Sequence, residues 1–210
     1  MEEIMKTIKM FGILGVITVL GLGFVVSLTA NDVKGTLDNL QAAYNGESNA
    51  KARYEAFAVQ ADKEGYKSAA TLFRAASKSE GIHAAKHAIA IKALGAVPKA
   101  DIEKVDVKST KENLEAALKG ETYEEESMYP AFVKQAEIDK NSGALMSFKG
   151  ALAAEIEHAK LFAQALKELD SWKDAGKVFY VCQVCGFTMT QSLPKCPVCA
   201  TPKSKFDIIK

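Results

Sequence analysis

The chain has 210 residues, of which 48 % are hydrophobic and 25 % are charged. These fractions are those of an ordinary globular protein, and they exclude a disordered or fibrous chain. The 27 Lys and Arg residues balance 26 Asp and Glu residues, so the net charge is +1. Because no basic excess is available to neutralise phosphates, nucleic acid is not expected as a partner.

The first 31 residues contain a hydrophobic segment. Met10–Ala30 carries no charge and matches the roughly 20 apolar residues that cross a membrane. Lys6 and Lys9 favour a cytoplasmic N-terminus. The segment is therefore predicted to be an uncleaved anchor or, alternatively, a signal peptide cleaved before Asn31. The rest of the protein is then membrane-anchored and faces the extracytoplasmic side, or it is exported as a soluble chain.

Residues 32–174 have the pattern of helices separated by short breaks. Ser109-Thr110-Lys111-Glu112 resembles a capping box, and Pro130 predicts a kink. The expected helices are Val33–Glu64, Lys67–Leu94, Ser109–Lys140 and a fourth from the break Asn141-Ser142-Gly143 to about Trp172. Short loops allow antiparallel neighbours, and the longer connection Gly95–Ser109 suits a crossover. The predicted fold class is mainly α, with a ferritin-like four-helix bundle.

The two halves of this region repeat each other at an offset of 75 residues. The matched pairs are Tyr54 with Tyr129, Phe73 with Phe148, Glu80 with Glu155 and His83 with His158. Gly46-Glu47 also matches Gly120-Glu121 with a slip of one residue. The repeat indicates duplication of a helical hairpin, the alternative being chance similarity between two amphipathic hairpins. A duplicated hairpin places two matched sets of side chains in one core.

These matched sets fit a dinuclear metal site. Glu80-x-x-His83 and Glu155-x-x-His158 each place a carboxylate and an imidazole on one helix face. Glu47 and Glu121 add one carboxylate from each of the other two helices, as in di-iron carboxylate bundles. A single Glu-x-x-His pair is more often a solvated surface pair, but two copies in a duplication favour ligands.

Other residues fall near the same helical stripes. Glu124 follows Glu121 by three residues and so faces the same interior, although one or more of the acids in Glu124-Glu125-Glu126 is expected on the surface. Tyr54 and Tyr129 either donate hydrogen bonds to ligand carboxylates or serve as core packing. His87 has no counterpart in the repeat and is interpreted as a non-ligand.

The C-terminal segment, residues 177–210, contains all four cysteines. They form two pairs, Cys182-x-x-Cys185 and Cys196-x-x-Cys199. Four thiolates in this arrangement make a tetrahedral site for iron or zinc, and a structural zinc ribbon remains an alternative. So small a segment is expected to need its metal to fold.

The combined motifs resemble rubrerythrin, a ferritin-like di-iron bundle followed by a rubredoxin-like domain. The resemblance covers about Val33–Lys210. It is based on the ligand pattern above, on Arg53-Tyr54 and Met128-Tyr129-Pro130, and on Cys-Gln-Val-Cys-Gly and Cys-Pro-Val-Cys. The resemblance implies two non-haem irons in the bundle, one iron in the four-cysteine site, and a homodimer. It also implies that Glu124 and His83 are alternative ligands of one iron, exchanged with redox state.

The activity that the resemblance implies is reduction of hydrogen peroxide to water at the di-iron site. Electrons from an external donor would be relayed through the rubredoxin-like iron centre, as oxidative stress defence. The hydrophobic N-terminus departs from the usual soluble member and leaves the donor open. Ala200 also follows the last cysteine at a position where free rubredoxins usually have Gly. Alternative functions are a ferritin-like iron-oxidising or iron-binding protein with a structural zinc ribbon, and a zinc-ribbon interaction module on a structural bundle.

Overall fold

The computed structural model describes residues 30–173 and 176–210. Within these two ranges, no helix has both the length and the apolar character that a membrane span needs. The hydrophobic segment Met10–Ala30 lies, except for its last residue, outside the described residues. The anchor and the signal peptide therefore stay predictions.

The first part of the chain is helical. The helices are α1 (Ala30–Lys63), α2 (Lys67–Ala93), α3 (Thr110–Tyr123), α4 (Tyr129–Ile138) and α5 (Ser142–Lys167). Gly65 and Gly95 follow α1 and α2 with φ of 82° and 77°, a left-handed conformation that glycine adopts without steric cost. Ser109 and Glu112 form the predicted capping box at the start of α3. The expected boundaries of the first two helices agree with the structure to within three residues.

The third predicted helix is interrupted by a π-helix, Glu124–Met128, between α3 and α4. Pro130 lies just beyond it, within the first turn of α4. Proline lacks the N–H that would bond to the carbonyl four residues earlier, and its ring crowds that carbonyl. Just before the proline, the backbone N–H of Tyr129 donates to the carbonyl of Glu124, five residues earlier, in place of the α-helical bond to the carbonyl four residues earlier. The irregularity expected at Pro130 is thus a widened turn on its N-terminal side.

The start of the last helix differs from the sequence-based expectation. Ser142 and Gly143, predicted to break the chain, lie inside α5. The boundary lies at Lys140 and Asn141: Lys140 has a φ of 52°, and the side chain of Asn141 accepts a hydrogen bond from the N–H of Ala144. The helix ends at Lys167, and a short 3₁₀ turn, Leu169–Trp172, follows it.

The bundle has two apolar clusters. One contains Tyr54, Phe73 and Phe162 and continues to Trp172 and the C-terminal domain. The other contains Tyr129 and Phe148, together with aliphatic residues of α1 and α2. Each cluster therefore contributes one of the two tyrosines matched in the repeat, and this pseudo-symmetric core confirms the mainly helical, ferritin-like fold.

The C-terminal domain is a small antiparallel sheet of strands β1 (Phe179–Cys182), β2 (Thr188–Met189) and β3 (Phe206–Ile209). The strand order is β2-β1-β3, with both neighbours antiparallel to β1. Phe179 packs against Trp172 at a ring-centroid distance of 6.4 Å. The backbone N–H of Lys177 also bonds to Ser68 of α2 at 3.3 Å. These contacts join the sheet to the bundle of its own chain.

Candidate metal centres

Four helices direct acidic and histidine side chains into the centre of the bundle. α1 supplies Glu47, α2 supplies Glu80 and His83, α3 supplies Glu121, and α5 supplies Glu155 and His158. All six are at most 2 % exposed. Burying so many charged groups is costly unless they are paired or bind a metal. The structure thus brings together the residues that the duplicated motifs singled out.

The six residues form two overlapping groups of possible metal ligands. The donor atoms of each group lie within 4.8 Å of one another, and the groups are Glu47, Glu80, His83 and Glu155, and Glu80, Glu121, Glu155 and His158. Glu80 and Glu155 belong to both groups. Two carboxylates shared between two positions can bridge two cations, with one further glutamate and one histidine for each metal.

Several of the oxygen and nitrogen atoms that could bind a metal in this cluster make no hydrogen bond. They are Oε2 of Glu47, Oε1 of Glu80, Oε2 of Glu121, both carboxylate oxygens of Glu155 and Nδ1 of His158. The atoms of Glu155 and His158 lie within ion-pair distance of neighbours in the cluster, such as 2.8 Å between Nδ1 of His158 and Oε2 of Glu155, but without hydrogen-bond geometry. Buried polar atoms in folded proteins are almost always satisfied, so such a concentration needs an explanation. Two divalent cations would satisfy these atoms and balance the negative charge of the carboxylates. The residues therefore fit a di-iron site.

The site holds protons where metals would bind. Burial, together with the nearby charge of Glu80, raises the pKa of Glu155 to about 8. Burial alone would lower the pKa of His83 and His158, but the surrounding carboxylates raise both well above the ordinary value. Nδ1 of His83 lies 2.9 Å from Oε1 of Glu155, which accounts for much of this effect. Metal binding must therefore displace protons from the cluster.

The two tyrosines hold the terminal carboxylates, that is, those of Glu47 and Glu121, which each belong to one ligand group only. Tyr54 donates a hydrogen bond to Oε1 of Glu121, and Tyr129 donates one to Oε1 of Glu47. Burial and the neighbouring carboxylates raise the pKa of both phenols well above the usual value, so they keep their protons. Both tyrosines also pack in the aromatic clusters, so the two roles considered from the sequence coexist.

Glu124 belongs to neither ligand group. It is half-buried at the start of the π-helix, and it is not among the donor atoms that converge within 4.8 Å. Burial and the charges of Glu47 and Glu121 raise its pKa well above the ordinary value. Its role as an alternative ligand to His83 stays a prediction.

The four cysteines converge in the C-terminal domain. Sγ of Cys182 lies 3.6 Å from that of Cys199, and Sγ of Cys185 lies 3.5 Å from that of Cys196. A tetrahedral ion with metal–sulfur bonds of about 2.3 Å places its sulfurs about 3.8 Å apart, whereas a disulfide needs about 2.05 Å. All four are free thiols. The spacing fits a mononuclear metal and argues against disulfides.

The two candidate metal centres touch each other within the chain. Nε2 of His83 lies 3.1 Å from the carbonyl oxygen of Cys185, so a ligand of one centre contacts a ligand residue of the other. The hydroxyl of Ser79 donates to the carbonyl of Gly186 at 2.7 Å. Nε2 of His158 lies 2.9 Å from the hydroxyl of Thr188. Ser79 and Thr188 were not singled out from the sequence, because no local motif indicates contacts between residues so far apart in the chain.

Comparison with known proteins agrees with this architecture. The rubrerythrin family model matches residues 38–166, and the model of the rubredoxin-like domain of rubrerythrin matches residues 180–207. The chain belongs to the rubrerythrin family. Nigerythrin of Nitratidesulfovibrio vulgaris is 36 % identical over 176 residues, which are 83 % of this chain and 86 % of nigerythrin. Rubrerythrin-2 of Clostridium acetobutylicum is 37 % identical over 176 residues, 81 % of this chain and 95 % of its own length.

Solved structures show the same fold. Nigerythrin in its fully reduced, all-ferrous state superposes with a TM-score of 0.76 at 34 % identity, covering 82 % of this chain and 86 % of nigerythrin. A bacterioferritin of Desulfovibrio desulfuricans superposes with a TM-score of 0.63 at 20 % identity, covering 69 % of this chain and 85 % of its own. That likeness concerns the fold alone. The predicted rubrerythrin-type iron sites, a dinuclear one in the bundle and a mononuclear one at the cysteines, are thus supported by family and by ligand geometry.

Proposed function

We propose that this protein reduces hydrogen peroxide to water at the di-iron site. Each peroxide takes up two electrons and two protons and gives two water molecules. Cys182, Cys185, Cys196 and Cys199 would hold an iron that supplies one-electron relay chemistry between an external donor and the bundle. The observation that supports this proposal best is the contact between His83 and the carbonyl of Cys185. A purely structural metal ribbon has no need to touch a ligand of the dinuclear site.

Bound iron would supply one-electron redox chemistry at both centres, and the protein sets its geometry and potential. Glu80 and Glu155 belong to both ligand groups and would hold two irons side by side, where together they would supply the two electrons that one peroxide needs. Tyr54 and Tyr129, both buried, hold the carboxylates of Glu121 and Glu47 in place through their hydrogen bonds. The relatives support iron at these sites, because nigerythrin has been solved in an all-ferrous state.

The electron relay can be tested by removing two of the four thiolates. The double variant Cys182→Ser, Cys199→Ser is expected to lose turnover with an external reductant. A chemically pre-reduced dinuclear site in the same variant is expected to consume peroxide once. Loss of that single turnover as well would indicate that the cysteine domain is only structural.

The alternative is an iron-oxidising or iron-binding protein with a structural zinc ribbon. Metal analysis with an optical spectrum separates the two functions, because iron in a tetrathiolate site is red and zinc is colourless. A colourless protein that oxidises iron with oxygen, and whose rate is unaffected by the cysteine double variant, would favour the alternative.

We further propose that the protein acts as a homodimer tethered to the membrane on its extracytoplasmic side. Met10–Ala30, without a charge and preceded by Lys6 and Lys9, supports the location. The electron donor would then be a membrane or periplasmic carrier. Cell fractionation and N-terminal sequencing test the location. A membrane-bound chain starting at Met1 supports the anchor, a soluble exported chain starting near Asn31 supports a cleaved signal, and a full-length cytoplasmic chain contradicts both. Sedimentation analysis tests the dimer.

A further inference from the structure

His87 is a fully buried polar residue that the proposed function does not use. Its Nδ1 lies 2.8 Å from the hydroxyl of Ser147, and its Nε2 lies 3.1 Å from the hydroxyl of Tyr129. Tyr129 in turn donates to Oε1 of Glu47. The four side chains thus form a continuous line of hydrogen bonds that ends on a ligand of the dinuclear site.

The single proton of Tyr129 sets the direction of these hydrogen bonds. Since that proton is donated to Glu47, the phenol oxygen can only accept from His87. Nε2 of His87 therefore carries a proton, and the neutral ring presents Nδ1 as an acceptor for the hydroxyl of Ser147. Burial lowers the pKa of His87, in agreement with a neutral ring. Each group in the line donates towards the carboxylate.

The other half of the site lacks this arrangement. At the offset of 75 residues, Phe162 takes the position of His87 and Leu72 that of Ser147, and both are fully buried. Tyr54 still donates to its carboxylate, but Phe162 packs against its ring at a centroid distance of 5.4 Å. The tyrosine that holds Glu47 is therefore hydrogen-bonded to a polar residue, whereas the tyrosine that holds Glu121 packs against an apolar one.

Hydrogen bonds in series polarise one another inside a protein. By donating to Tyr129, His87 makes the phenol a stronger donor to Oε1 of Glu47. Negative charge is then drawn away from Oε2, the unpartnered oxygen of Glu47 that is free to bind a metal. A carboxylate with less charge on its binding oxygen is a weaker ligand.

We propose that His87, acting through Tyr129, lowers the metal affinity of the position that Glu47 and His83 would bind. This affinity is then lower than that of the position of Glu121 and His158. His87 is a positioning residue in this proposal and binds no metal itself. The proposal concerns metal binding and holds whichever oxidant reacts at the site. Its failure is therefore distinguishable from failure of the proposed peroxide reduction.

Manganese binding to the full chain tests the proposal. One equivalent of zinc first fills the four-thiolate site, and Mn²⁺ is then titrated, because it prefers carboxylates to thiolates. Electron paramagnetic resonance follows free and bound Mn²⁺. We expect His87→Phe to lower the larger of the two stepwise Mn²⁺ dissociation constants about threefold, while the smaller one stays unchanged. The reverse exchange, Phe162→His with Leu72→Ser, is expected to raise the smaller constant by a similar factor.

His87→Gln is the matched control, because its amide N–H can still donate to Tyr129. The Gln variant is expected to keep the wild-type constants. If His87→Phe leaves both constants unchanged, or if the Gln variant shifts them as the Phe variant does, the proposal is wrong.

Nuclear magnetic resonance of the metal-free chain labelled with [15N]histidine provides a readout without metal. The chain has 3 histidines, so the resonances of His87 can be assigned by comparison with His87→Gln. We expect a protonated Nε2 and an unprotonated Nδ1. A ring protonated at Nδ1 alone would reverse the hydrogen bonds and would also overturn the proposal.

Discussion

Gly186→Ala should separate the C-terminal domain from the dinuclear site. Gly186 follows Cys185 with a φ of 79°. A Cβ built on it would lie 2.7 Å from the hydroxyl oxygen of Ser79 and 2.8 Å from Cδ2 of His83. Neither neighbour can move aside easily, because Ser79 is bonded to the carbonyl of Gly186 and His83 is held by Glu155.

The cost of this substitution has two parts. An L-residue in the left-handed conformation costs about 1–2 kcal/mol. Moving the domain away from α2 also breaks the hydrogen bonds from Ser79 to Gly186 and between His83 and Cys185, at about 1 kcal/mol each. The total of about 3–4 kcal/mol acts against docking of the domain. The helical bundle itself should keep its stability.

Two measurements report docking of the C-terminal domain. One is hydrogen–deuterium exchange of the backbone amides in β1 and β2, and the other is the nuclear magnetic resonance shift of the ring nitrogens of His83 in a zinc-loaded chain. In Gly186→Ala we expect faster amide exchange in both strands and a shift of the Nε2 resonance of His83. Gly95→Ala is the matched control, since Gly95 has a φ of 77° but, apart from its neighbours in the chain, no described residue has an atom within 4 Å of the position that a Cβ would take there. Wild-type exchange in Gly186→Ala, or equal loss of docking in Gly95→Ala, would refute the argument from close approach.

Three further predictions concern the bundle. Glu80→Ala or Glu155→Ala should abolish dinuclear metal binding while circular dichroism stays helical, and two metals retained per bundle would contradict the shared-ligand assignment. Phe73→Ala should lower the free energy of unfolding by about 3–5 kcal/mol in denaturant titrations, whereas a similar loss at exposed Met146→Ala would argue against the core assignment. Metal-free protein should lose thermal stability in calorimetry as the pH rises from about 6 to about 9, because the folded state holds protons on Glu155 and His83 that the unfolded chain has released. Metal-loaded protein should not show this loss, and increasing stability of the metal-free form over that range would be inconsistent with the raised pKa values.

Most of the fold and of the ligand set could be read from local sequence patterns. The spacing of Glu80 with His83 places both side chains on one face because a helix has a fixed pitch, and the repeat supplies the second pair. Capping at Ser109 and glycine at the ends of α1 and α2 are also local signals. The exceptions were local as well, since Ser142 and Gly143 looked like a break but are tolerated inside α5 once Asn141 caps it.

The amino-acid sequence by itself determined the mainly α fold class, the duplicated ligand motifs and the two Cys-x-x-Cys pairs, because each depends on residues a few positions apart. Only the tertiary structure decided what surrounds those motifs. The bond from His87 to Tyr129 and the contact between His83 and Cys185 join residues 42 and 102 positions apart. Such contacts depend on how helices and the sheet pack in three dimensions, and no periodicity along the chain encodes that packing.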